Sequence, residues 1–92
     1  AHANDKTIRI SSYRTEHGAE VDFIVEKDGQ VFAIEAKASS NIGKSDLRGF
    51  KSFAEYYNKP HKSYVAYLGN EVKVIEGIKI FPWQVLLREM GL

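Results

Sequence analysis

The chain has 92 residues, 43% of them hydrophobic and 27% charged, with a formal net charge of +1. Such a length buries one small core, and so even a charge balance supplies no bulk attraction to nucleic acid or an anionic surface. With no cysteine, disulfides and thiolate metal sites are excluded; no apolar run reaches membrane-spanning length, and a reducing cytoplasm is the expected setting.

In chain order, the opening AHANDK carries no targeting pattern. It is consistent with residues 1–92 being a single domain excised from a longer chain. KTIRISSYRT alternates, with Ile8 and Ile10 on one side and Ser12 following, and reads as a strand before a polar turn through EHG. AEVDFIVEK and QVFAIEAK read as the next two strands, and Asp28-Gly29 between them is a strong signal for a two-residue hairpin. ASSNIGK is loop by composition, with Ser39 and Ser40 shaping it.

A helix is expected over 45–58. Ser45 is its N-cap, Leu47, Phe50, Phe53, Ala54 and Tyr57 its apolar stripe, and Asn58 and Pro60 its end. Gly49 inside it costs about 1 kcal/mol relative to alanine. KSYVAYL is a strand parallel to QVFAIEAK, because a β-α-β crossover returns in parallel. Gly69-Asn70 suits a turn into EVKVI, and IKIF extends the sheet or leads out of it. Pro82 opens a last helix with Trp83, Leu86, Leu87 and Met90 on one face and Gly91 as its stop. The order is β-β-β-α-β-β-α, an α/β domain with a mixed sheet and flanking helices.

A two-residue loop at Asp28-Gly29 fixes the hairpin register. Asp22 then faces Glu35, Glu20 faces Lys37, and all four side chains point to one side. Val21, Phe23, Val25, Phe32, Ile34 and Ala36 occupy the other as a core face. A three-residue loop would instead set Asp22 against Ile34. Like charges directly opposed across a ladder are destabilising, a cost that folding alone does not explain. A hard divalent cation, Mg²⁺ or Mn²⁺, held by Asp22 and Glu35 would remove it. Lys37 would then be placed to orient a water or steady a negative oxygen in phosphoryl transfer. The plainer alternative is a solvated polar face with an ordinary Glu20–Lys37 cross-strand pair.

At these residues the chain resembles the PD-(D/E)XK nuclease superfamily, with Glu20-Val-Asp22 followed by Glu35-Ala-Lys37 on the next strand. More closely, YRTEHGAEVDFIV, IEAKAS, DLRGFKSFAE, YVAYLG and IFPW, in that order, resemble the carboxy-terminal domain of a family of uncharacterised prokaryotic AAA-type ATPases. The resemblance implies a restriction-endonuclease-like fold and Mg²⁺-dependent cleavage of a DNA phosphodiester. It implies Asp22 and Glu35 as metal ligands, Lys37 as the catalytic lysine and Glu20 as an auxiliary acid, with the ATPase module of the same parent chain as partner. The alternative is a degenerate nuclease fold that binds DNA or a protein without cleaving, or a structural module that docks on the ATPase. The chain departs from the superfamily pattern in lacking a proline before Asp22 and a helix before the first strand; that helix is expected upstream in the parent chain. No Walker-type glycine loop is present.

Lys44, Arg48 and Lys51 fall at helical spacing and, with Lys37, His61 and Lys62, form a candidate basic rim for a DNA backbone; the alternative is a solvated helix face beside Glu55. His2, His17 and His61 lack the spacing of a metal set. Tyr56, Tyr57, Tyr64 and Tyr67 read as core and core edge rather than a base-stacking platform, and no GxSxG or triad order is present.

Overall fold

The computed structural model describes residues 8–90; the expectations on His2 and on Gly91 as a helix stop lie outside the described residues. Six strands form one mixed sheet in the order β1-β2-β3-β4-β6-β5. They are β1 (Ile8–Arg14), β2 (Glu20–Lys27), β3 (Gln30–Ala36), β4 (Lys62–Tyr67), β5 (Lys73–Ile75) and β6 (Ile78–Pro82). A 3₁₀ turn at Lys44–Leu47 leads into α1 (Arg48–Tyr57), and α2 (Trp83–Glu89) follows β6. The expected order therefore gains a sixth strand.

Asp28 and Gly29 hold φ of 53° and 78°, the left-handed pair that a two-residue turn between twisted strands requires. The register follows: Phe23 faces Ile34, Ile24 faces Ala33 and Val25 faces Phe32. β4 lies parallel to β3, Phe32 opposite Lys62 and Ala36 opposite Ala66, as the crossover through α1 dictates.

EVKVI does not fold back on β4. Glu76 and Gly77, with φ of 52° and 79°, make a second tight turn that pairs β5 with β6, Ile75 facing Ile78. β6 then inserts beside β4 in parallel, Val65 facing Ile80. Both of those residues are fully buried, so the inner place goes to the more apolar strand and the outer one to the three-residue β5.

The sheet is buried on both sides, in keeping with the expected flanking helices. Ile24, Ala33, Val65 and Ile80 pack with Leu47, Phe50 and Phe53 under α1. Val25, Phe32, Ile34, Tyr64 and Phe81 pack with Leu86 and Met90 of α2. α2 covers only part of its side. Trp83 and Leu87 remain 49% and 41% exposed, and Phe23 is 45% exposed; these three border an apolar hollow with Ile10 of β1.

The clearest departure from regular alternation is on β2. β1 pairs as Ser11–Ile24 and then as Tyr13–Val21, so Asp22 and Phe23 together oppose Ser12. This is a β-bulge, with one extra residue that resets which side each earlier side chain takes. Val21 accordingly packs with Ile24 in the core under α1, although regular alternation would send the two to opposite sides.

α1 begins three residues later than expected, at Arg48, with Leu47 at its N-cap position and no side-chain cap. Ser45 lies instead in the 3₁₀ turn, which is closed by the Gly43 N–H donating to the Asp46 carboxylate at 2.9 Å. Asn58 ends the helix in the left-handed conformation at φ 53°, its N–H donating to Ala54 O at 2.9 Å. Gly49 is a packing requirement. A Cβ there would meet the Glu20 carbonyl oxygen, so glycine is what lets α1 lie directly on β2. Among the described residues no helix is long and apolar enough to cross a membrane.

Candidate functional site

Glu35 lies on β3, the strand between β2 and β4. The residues of β3 pack on both sides of the sheet, Ala33 under α1 and Phe32 and Ile34 with α2, and Glu35 is 7% exposed, the one charged residue among the described residues that is buried. Buried charge requires partners, and here they come from the bulge. The Asp22 N–H donates to Glu35 Oε1 at 3.0 Å, and the Ala36 N–H donates to Asp22 Oδ2 at 2.9 Å. The two side chains thus replace a rung of the backbone ladder, whose regular pairing stops at Phe23–Ile34. The expected ladder pair of Asp22 with Glu35 lies one residue beyond the regular pairing; in its place the two acids engage each other's strands through their side chains.

The electrostatics follow from that position. Burial raises the Glu35 carboxyl from 4.5 to about 7; the Asp22 N–H opposes the rise, the Asp22 charge adds to it, the Lys37 charge opposes it, and a hydrogen bond shared with the Asp22 carboxylate adds to it. Lys37 Nζ stands 3.8 Å from Glu35 Oε2 and 3.5 Å from Asp46 Oδ1. The Gly43 N–H in turn holds the Asp46 carboxyl below the usual carboxylate range. Asp46 is therefore a site residue that sequence reasoning missed. Its signal was the spacing Gly43-x-x-Asp46 at a helix start.

Glu35, Lys37 and Asp46 line a small cleft of about 170 Å³ with Arg48, Gly49 and Glu20. Asp22 is exposed and does not line that cleft. Glu20 corrects an expectation. It does not form a cross-strand pair with Lys37; it is opposite Arg14 on β1, with Arg14 Nε 3.2 Å from Glu20 Oε2. The bulge accompanies this pairing, since it shifts the β1–β2 register.

The expected basic rim comes together only in part. Lys44, Arg48 and Lys51 line one cleft of about 440 Å³ beside α1. Lys37 is held by Glu35 and Asp46. Lys62 opens β4 opposite Phe32, at the far end of the strands from Lys37, and lies over the Phe32 ring at 6.0 Å. His61 packs edge-on against Phe53 and Tyr57, with Nδ1 2.8 Å from Lys59 O. The tyrosines also divide: Tyr64 and Tyr67 are core as expected, whereas Tyr56 is 73% exposed.

Among the described residues no group of three or more His, Cys, Asp or Glu side chains is arranged to hold a metal ion. The available donor set is thus the Asp22–Glu35 pair. It consists of hard oxygens whose mutual charge disfavours the doubly ionised state, so it fits a cation such as Mg²⁺ that needs only one or two carboxylates and keeps its waters.

Fold and site together define a small mixed α/β domain with a carboxylate pair and a lysine grouped at one end of its central strands. The chain belongs to the family described as Domain of unknown function (DUF4143), whose model matches residues 1–86. No curated protein matches it.

Proposed function

We propose that this is the nuclease-like domain of a larger ATPase, of restriction-endonuclease-like fold, that cleaves DNA phosphodiesters with a divalent cation held by Asp22 and Glu35. The observation that carries the reading is the buried Glu35 carboxyl set against Asp22, with its pKa raised to about 7. A carboxyl so perturbed, beside a cleft and a specific charged partner, is a functional-site candidate. When bound, Mg²⁺ or Mn²⁺ would supply Lewis acidity and a water of lowered pKa. The chain's residues divide the remaining work. Asp22 and Glu35 supply oxygen ligands, and the Asp22 N–H fixes the Glu35 rotamer. Lys37, steadied by Asp46, presents an ammonium to a negative oxygen as charge develops. Lys44, Arg48 and Lys51 hold the phosphate backbone on the adjoining side of α1. Glu20, on β2 and paired with Arg14 of β1, lines the same cleft as Lys37 and serves as the auxiliary acid.

A second reading rests on the same hydrogen bonds. Each of the two carboxylates already accepts a backbone N–H across the strands, which suits a degenerate nuclease fold that binds DNA or a protein without cleaving. One paired experiment separates them: Mg²⁺ or Mn²⁺ titration by calorimetry, and plasmid nicking in Mn²⁺, for wild type, Asp22→Asn/Glu35→Gln and Lys37→Ala. The cleavage reading expects metal binding to vanish in the double variant and to survive in Lys37→Ala, with nicking lost in both. A wild-type chain that binds no metal at millimolar concentration leaves the binding module.

A further inference from the structure

On the other side of α1 from Lys51, a cleft of about 490 Å³ opens between α1 and β1. Its aromatic wall is Tyr13 and Tyr56, with ring centroids 5.4 Å apart. Tyr13 is fixed from behind: its hydroxyl lies 2.7 Å from Ser52 Oγ and its ring packs edge-on against Phe53 at 5.3 Å. Tyr56, by contrast, is 73% exposed, a large ring face offered to solvent beside a rigid one. Ser11 and Glu26 also line the cleft, and neither side chain has a hydrogen bond or ion pair among the described residues. The hydroxyl donates and accepts; the carboxylate accepts.

A ring face beside unengaged donors and acceptors suits a flat, hydrogen-bonding heteroaromatic. The volume is within the range of small-molecule sites. The cleft also adjoins the candidate site. Arg14 lines the one and Glu20 the other, and the two are ion-paired at 3.2 Å. We propose that the β1–α1 cleft binds the base of an unpaired nucleotide, stacked on Tyr56 and Tyr13 with its edge on Ser11 and Glu26. This rests on the nucleic-acid reading above and narrows its substrate to single-stranded or locally opened strands, since a base inside a duplex cannot present its face to a side chain.

The test is fluorescence anisotropy with a labelled single-stranded oligodeoxynucleotide of about ten nucleotides and the matching duplex, in EDTA, using wild type, Tyr56→Ala and Tyr56→Trp. Expected is a preference for the single strand, a loss of about tenfold in Tyr56→Ala, as for one stacked base, and retention in Tyr56→Trp. Equal affinity of wild type and Tyr56→Ala for the single strand would overturn the proposal, as would wild type binding the duplex at least as tightly. Because no metal is present, the result is independent of cleavage. Tyr56-dependent binding in a chain that binds no Mg²⁺ defeats the cleavage reading alone, whereas Mg²⁺ binding without Tyr56 dependence defeats the base site alone.

Discussion

Glu35→Gln changes the charge of the candidate site while keeping its shape. The amide oxygen can still accept the Asp22 N–H now received by Glu35 Oε1 at 3.0 Å, and the amide N–H₂ can donate to the Asp22 carboxylate, as a protonated Glu35 does. In the wild type the Glu35 pKa rises from 4.5 to about 7 on folding. Between those values the native state holds more protons than the unfolded chain, so stability falls as pH rises through the interval and levels off above about 7. At about 1.4 kcal/mol per tenfold change in acidity, ionised Glu35 costs the fold up to about 3 kcal/mol. The glutamine variant has no such group. Wild type and variant should therefore match in stability at about pH 4, and the variant should be the more stable by up to about 3 kcal/mol at about pH 8 without metal. Urea unfolding in EDTA across this range measures the difference, seen as a midpoint shift on the order of 1 M or more. Mg²⁺ at about a hundredfold its Kd should return roughly 2.7 kcal/mol to the wild type and nothing to the variant. A stability difference that stays flat with pH would refute the account of Glu35 as a buried, charge-strained acid.

Gly49→Ala should destabilise the fold although alanine is the better helix former by about 1 kcal/mol. The new methyl would collide with the Glu20 carbonyl and push α1 off β2, a net loss of about 1–3 kcal/mol by thermal or urea unfolding; a variant as stable as wild type would show that α1 does not lie so close. Replacing Lys44, Arg48 and Lys51 together by alanine should weaken duplex DNA binding and lower the dependence of log K on log salt by about three, read by anisotropy from low to moderate salt; an unchanged slope would place DNA elsewhere.

Much of the framework is legible in the sequence because it depends on local chemistry. Asp28-Gly29 can adopt two successive left-handed conformations, so the β2–β3 register follows from two residues. Helical spacing from Leu47 to Tyr57, with Asn58 and Pro60 after it, brings the chain back through a crossover and makes β4 parallel to β3. The meeting of Asp22 with Glu35 was readable for the same reason. Tertiary structure alone decided three things. The bulge at Asp22–Phe23 is invisible to period-two counting, because an extra residue opposite Ser12 is a property of two strands rather than of one; it accompanies the pairing of Glu20 with Arg14 in place of Lys37 and brought Val21 under α1. The place of β6 between β4 and β5 was settled by competition for burial, which Ile80 won beside Val65. The burial of Glu35 came from strand order: only when β2 and β4 flank β3, with helices on both sides of the sheet, does a residue with the spacing of a surface acid lose its water. That loss of water raises its pKa.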